Sequence, residues 1–227
     1  MINLTTEEKL DILNSISFED IDNQFMLDSQ EYDIMIEKIN ILNEKTENTK
    51  QKGDKLEELL VYILEKSGIF KCTWNKRTST NEIDVRAVKT QNFITFENRY
   101  DIKIENISYF ECKNYNQRLG VTYIGKFFSV LNVSGIKLGV VISPFGLTGT
   151  GWSDGNGLCK KLFLKNNIDI ISITKEDLVK LNSESLMNII QRKIQELRED
   201  MDLKECFQQT HDLIDENKEL NIKSSSS

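Results

Sequence analysis

The chain has 227 residues, 39% of them hydrophobic and 29% charged, with a formal net charge of −7. This balance predicts a soluble globular protein with one substantial core and accessory helices. No apolar run reaches the length of a membrane helix, and the acidic start Met1-Ile2-Asn3-Leu4-Thr5-Thr6-Glu7-Glu8 has no signal-peptide shape. A cytoplasmic location and no membrane partner are therefore expected. Cys72, Cys112, Cys159 and Cys206 are far apart and form no C-x-x-C pair, which speaks against a zinc site and for reduced, packed thiols. The single histidine, His211, falls in a polar helical stretch, so a Ser-His-Asp triad is a poor fit.

The charge is uneven. Residues 1–52 carry a net −7 and residues 181–227 a net −4, whereas residues 53–180 hold 18 basic and 14 acidic groups, net +4. A phosphate backbone needs local positive potential rather than a basic whole protein, so nucleic acid is permitted.

In chain order, residues 5–14 predict a short helix. Residues 30–46 predict a longer one, with Tyr32, Met35, Ile39 and Leu42 on one face. Residues 44–52 read as a polar linker. A helix is expected to begin after Gly53 and to stop at Ser67-Gly68. Strands are expected at 69–74 and 83–88, a further hairpin from 92–96 and 102–104, and a strand at 108–112. A helix follows over 121–133, with Ile124, Phe127, Phe128 and Leu131 on one stripe. Then come a buried strand at 138–142, a helix at 158–165, a strand at 168–173 and a helix from Lys175. The order is α-β-β-β-α-β-α-β, with the last two strands parallel through a crossover helix. Residues 184–219 predict a final helix, with Leu186, Ile190, Ile194, Leu197 and Met201 at helical spacing. Both helical flanks read either as ordinary packing onto the core or as a partner surface.

Three short motifs carry chemistry. Asp84 is a charge between Ile83 and Val85, either a site residue or a strand-edge turn aspartate. Glu111-Cys112-Lys113 puts Glu111 and Lys113 on one face of a strand, about 7 Å apart, together with Tyr109. A half-buried ion pair there calls for a reason. Glu57 borders the buried stripe of the helix after Gly53, whereas Glu58 faces solvent. Two carboxylates and a lysine on neighbouring strands are the chemical minimum for metal-dependent phosphodiester hydrolysis. Lys71, Lys76 and Arg77, interleaved with Trp74, make a basic-aromatic cluster that either grips a phosphate backbone or belongs to a solvated hairpin. Gln117 and Lys126 are further candidate substrate contacts, although Lys126 lies opposite its helix's apolar stripe. The glycine-rich stretch 146–152 lacks the Gly-Lys-Ser/Thr end of a nucleotide loop and reads as a flexible connection.

In this order the motifs resemble the PD-(D/E)XK nuclease superfamily, most closely its Mrr-like restriction endonuclease branch. Gly53 to Glu57 is similar to the branch's Gly-x-x-[Phe/Leu]-Glu helix start, Ile83-Asp84 to its Ile-Asp strand, and Glu111-Cys112-Lys113 to its [Glu/Gln]-x-Lys strand. The later stretch from Val140 to Ile173 resembles its closing half. The resemblance spans residues 53–181. It implies a restriction-endonuclease-like α/β domain with a central mixed sheet, a helical N-terminal extension over 1–52 and a helical C-terminal extension over 182–227. Two departures stand out: Thr80-Asn81-Glu82 replaces a glycine-rich turn, and a charged segment, 97–105, reads as a substrate-recognition insertion. The resemblance implies a Mg²⁺-dependent endodeoxyribonuclease (Mn²⁺ can substitute) in restriction or defence against foreign DNA. Asp84, Glu111 and the Cys112 carbonyl would hold the metal, Lys113 would orient water or offset charge, and Glu57 would hold a water or second ion. One site cuts one strand, so duplex cleavage implies a homodimer, with the helical flanks as its interface. The alternative is a catalytically inactive nuclease-fold protein that binds nucleic acid or a protein partner.

Overall fold

Side chains at three N-caps set the first helices. Thr5, Ser17 and Asp28 each open one with a capping box closed by Glu8, Asp20 and Glu31. These helices are α1 (Thr6–Ser15), α2 (Phe18–Gln24) and α3 (Ser29–Ile41). The structure, a computed structural model, describes residues 4–42, 49–77, 82–149, 151 and 153–199, with the main chain alone for Leu13, Thr49, residues 74–77 and Glu82. Helix α4 (Thr49–Lys66) leads into strands β1 (Phe70–Arg77) and β2 (Glu82–Lys89). Then follow α5 (Gln91–Phe96), β3 (Ile107–Cys112), α6 (Val121–Ser134), β4 (Leu138–Ile142), α7 (Gly155–Asn166) and β5 (Asp169–Ile173). Helices α8 (Lys175–Val179) and α9 (Leu186–Glu199) close the described chain.

The five strands form one sheet in the order β1-β2-β3-β4-β5. The first three are antiparallel, while β3, β4 and β5 run parallel through the crossover helices α6 and α7. Period-two alternation divides the sheet between two cores. Phe110, Cys112, Val140, Ile142, Ile171 and Ile173 face the larger core, which α3, α4 and α9 cover. Tyr109, Val141 and Ile170 face the smaller one, under α6 and α7. The fold is the expected mixed α/β sandwich with helices on both faces.

Several details differ from the sequence reading. Helix α4 starts at Thr49, so residues 49–52 are its first turn rather than linker, and Gly53 lies inside it. A Cβ added at Gly53 would meet nothing within 4 Å, and the good helix formers around it carry the helix through. The expected hairpin at 92–96 and 102–104 is instead α5 and a 3-10 turn at Glu97–Arg99. Thr90 caps α5 and Phe93 anchors it in the core, and a short apolar run does not by itself separate strand from helix. Helix α7 begins three residues before the expected start at 158. The expected C-terminal helix is seen as α9; its stretch from residue 200, like residues 43–48, His211 and Cys206, lies outside the described residues.

The glycine-rich stretch is pinned rather than loose. Gly146 takes φ 68°, Leu147 bridges to Leu119, the Thr148 amide donates to the Leu119 carbonyl, and Asn156 Nδ2 donates to the Gly149 carbonyl at 2.7 Å. Thr150 and Trp152 lie outside the described residues.

Glu97, at the start of the charged 97–105 segment, is buried. Lys89 Nζ donates to Glu97 at 2.6 and 2.8 Å and to the Ile104 carbonyl at 2.7 Å, with side chains only 8% and 11% exposed for Lys89 and Glu97. Lys89 ends β2, about 16 Å along the strand from Asp84 at the usual rise. Glu97 thus anchors the segment to the end of β2, while Arg99, Asp101, Lys103 and Glu105 are exposed.

The flanks are docked by a polar knot. Asp22 of α2 accepts from Tyr100 Oη at 3.1 Å, Ser185 Oγ at 2.5 Å and Asn188 Nδ2 at 2.8 Å. Burial, then the Asp22 charge, raises the Tyr100 pKa, so this hydroxyl stays a donor. The stripe residues Met35, Ile39, Ile190 and Ile194 are all buried in the larger core, so this chain already covers those faces. Asp22→Ala leaves three donors without their acceptor and is expected to cost about 2–3 kcal/mol in urea unfolding. A loss under about 0.5 kcal/mol would mean that α2 is not an integral part of the domain.

Candidate active site

The antiparallel ladder between β2 and β3 ends at Val85–Phe110. One step further, the Asp84 carboxylate takes over as acceptor: the Cys112 amide donates to its Oδ2 at 2.7 Å. Across the same strand, β3 stays parallel to β4, and the Lys113 amide donates to the Ile142 carbonyl at 2.9 Å. A carboxylate thus stands at a split in the sheet, with both sides of β3 still fixed.

Lys113 fills the split. Its Nζ lies 2.5 Å from Glu111 Oε1, 3.6 Å from Asp84 Oδ2 and 3.1 Å from the Cys112 carbonyl. The three side chains are 15–24% exposed. Burial pushes the Lys113 pKa down, but Glu111 and then Asp84 outweigh it, so the ammonium is held charged.

Helix α4 adds Glu57. Leu56, Leu59, Leu60, Ile63 and Leu64 bury its inner face, Glu57 is half-buried at the border and Glu58 is exposed. Asn114 Nδ2 donates to the Lys52 carbonyl at 3.4 Å, tying the first part of α4 to the chain just after Lys113. Burial, then repulsion from Asp84, Asp54 and Glu111, raises the Glu57 pKa to about 7 against a partial offset by Lys113. Three carboxyl groups thus share one ammonium. That negative excess, built from oxygen donors, suits a hard divalent cation. Among the described residues no group of three His, Cys, Asp or Glu side chains is spaced to hold an ion by side chains alone. The Cys112 carbonyl already faces the Lys113 ammonium. The Cys112 thiol is buried and its pKa raised, first by burial and then by Asp84, so it is no nucleophile.

The structure brings Glu57, Asp84, Glu111, Cys112 and Lys113 into one neighbourhood. Gln117 is exposed on the loop after β3. Lys126 is exposed on α6, at a cavity of about 310 Å³ that Glu111 and Lys113 also line. Lys76 and Arg77 end β1 opposite Ile83 and Glu82, and their side chains, with that of Trp74, lie outside the described residues. Lys71 pairs with Val88 at the far end of the strand and does not join this neighbourhood. Three residues went unread in the sequence. Tyr115 continues the Glu111, Lys113 alternation, Tyr123 sits one helical turn before Lys126 and Phe127, and Asn114 ties the strand to α4.

A mixed sheet between two helical layers, with an acid and an acid-x-lysine strand at its split, defines a restriction-endonuclease-like α/β protein. The sequence matches the Mrr_cat restriction endonuclease family over residues 49–181, from the first residue of α4 to the turn after α8, and the chain belongs to that family. None of the curated proteins matches it. Among solved structures it is similar to the DNA modification-dependent restriction endonuclease AspBHI, at 15% identity and a TM-score of 0.38. The alignment covers 78% of this chain and 42% of that one, so the chain spans less than half of that protein's length.

The Glu57 shift carries a pH signature. Its folded-state pKa lies above the ordinary 4.5, so between about 4.5 and 7 the folded state holds the proton more tightly than the unfolded one. Stability therefore falls as pH rises through that window, and the penalty is complete above it. In EDTA, Glu57→Gln is expected to be more stable than wild type at pH 8 by on the order of 1 kcal/mol after solvent screening, and equal at pH 4.5. Equal stability of the two proteins at pH 8 would contradict the reading of Glu57 as a repelled, half-buried acid.

Proposed function

We propose that this family member is a Mg²⁺-dependent endodeoxyribonuclease, with Mn²⁺ able to substitute, acting in restriction or defence against foreign DNA. One observation carries the reading: the Lys113 ammonium touches Asp84, Glu111 and the Cys112 carbonyl together. These three oxygen donors converge on one positive charge and are the groups that would hold the cation. When bound, a divalent cation supplies Lewis acidity at the scissile phosphate and lowers the pKa of a water. Lys113 supplies a fixed positive charge for the developing oxyanion and orients the attacking water. Asp84 and Glu111 fix the position of Lys113, while the Asp84 bond to the Cys112 amide fixes Asp84. Glu57, with a pKa of about 7, is able to hold or take a proton near neutral pH.

The enzyme is proposed to work in the cytoplasm; among the described residues no helix is long and apolar enough to cross a membrane. Cutting both strands of a duplex calls for two copies. The α3 and α9 stripes are buried in this chain, which directs the search for a dimer contact to other surfaces. Lys113→Ala is expected to lose Mg²⁺-dependent DNA cleavage by at least about 100-fold with an unchanged circular dichroism spectrum. Robust cleavage by that variant, or none by the wild type on plasmid, linear duplex or single-stranded DNA, would sink the assignment. The second outcome would favour a binding protein on a nuclease fold.

A further inference from the structure

The cavity beside Glu111 and Lys113 has aromatic walls. Tyr115 follows β3, and Tyr123, Lys126 and Phe127 lie on one face of α6 at positions i, i+3 and i+4. The Tyr115 and Tyr123 rings are 5.4 Å apart between centroids and tilted by 53°. Both residues are only half-buried. Phe127 is 5% exposed and fixes the cavity floor, whereas Lys126 stands exposed at its rim.

Electrostatics alone gives this chain little hold on nucleic acid. The net charge is −7, and the central segment reaches only +4. Lys113 is already engaged by Glu111 and Asp84. Contacts other than phosphate neutralisation would then add to affinity. Aromatic rings beside the reacting centre, with one cation at the rim, match the chemistry of a stacked nucleobase whose own phosphate lies outside the cavity.

We propose that this cavity receives the base of a nucleotide flanking the scissile phosphate, stacked on the Tyr115–Tyr123 pair, with Lys126 on the neighbouring phosphate. The substrate is then DNA in which that base is unpaired or turned out of the duplex. The proposal rests on the nuclease reading above. Tyr115 and Tyr123 are positioning residues for the reaction rather than groups that act on the phosphate.

The test uses full-length protein and a DNA substrate whose cleavage position has been mapped. In one substrate set, each nucleotide flanking the cut is replaced in turn by an abasic analogue. For wild type, one of the two replacements is expected to raise KM about tenfold, with a smaller change in kcat. Tyr123→Leu, which keeps an apolar side chain but has no ring, is expected to raise KM similarly on intact DNA, and Tyr123→Phe to stay near wild type. Combining Tyr123→Leu with the abasic substrate is expected to cost no more than either change alone. Unchanged KM on both abasic substrates, or fully additive losses, would overturn the stacking proposal and leave the nuclease reading standing. The abasic arm needs no variant, so misfolding of Tyr123→Leu does not block it. Failure of the wild type to cut any DNA would remove both readings together.

Discussion

Past Val85–Phe110, the Cys112 amide finds a side-chain carboxylate instead of a backbone carbonyl, and this substitution organises the whole site. Because Asp84 ends the ladder, β2 and β3 part without leaving the Cys112 donor unpaired, which buried backbone groups do not tolerate cheaply. Asp84 is thereby fixed by the same strand that carries Glu111 and Lys113. The relative positions of the three charges depend on one hydrogen bond and on the β3–β4 register. A half-buried set of three carboxyls and one ammonium does not pack better than apolar residues, which is the pattern a functional site carries.

The scaffold holds this arrangement from both faces. On one side, α4 buries five leucine and isoleucine residues and thereby sets where Glu57 lies. On the other, α6 comes so close to β4 that a Cβ at Gly139 would meet Leu131 at 2.5 Å and Phe127 at 2.7 Å. That contact seats the helix carrying Tyr123 and Lys126 against the sheet next to Glu111. The far end of β2 is held by the Lys89–Glu97 pair, and the flanks by Asp22 and by Arg198, whose Nη2 donates to Asp169 at 2.7 Å. These polar contacts lie away from the carboxylate site.

Much of this was legible in the sequence because strand alternation and helix periodicity act locally. Glu111 and Lys113 share a face because they are two residues apart, and Glu57 was separable from Glu58 by helical phase alone. The crossovers were legible because buried β-branched runs alternate with amphipathic helices. What escaped is non-local. Asp84 accepting the Cys112 amide joins residues 28 apart, and nothing in either motif announces that bond. Charges at 97–105 suggested a surface insertion, and Arg99, Asp101, Lys103 and Glu105 are exposed, yet the Lys89 partner turns Glu97 inward. The Tyr115–Tyr123 pair was invisible because its members lie on a loop and on a helix, and only the fold brings them together. The glycines at 146 and 149 read as loose for the same reason: the Leu119 and Asn156 contacts that pin them are tertiary.

The proposed cation site at the split in the sheet is formed by Asp84, Glu111 and the Cys112 carbonyl. A Mn²⁺ titration of wild type and Asp84→Asn, read by the thermal unfolding midpoint, tests it most directly. Asn keeps an acceptor for the Cys112 amide and removes only the charge. The account predicts a saturable rise in midpoint for the wild type, and for Asp84→Asn a fold of similar basal stability whose response is at least about tenfold weaker in apparent affinity. An equal response from the two proteins would contradict it.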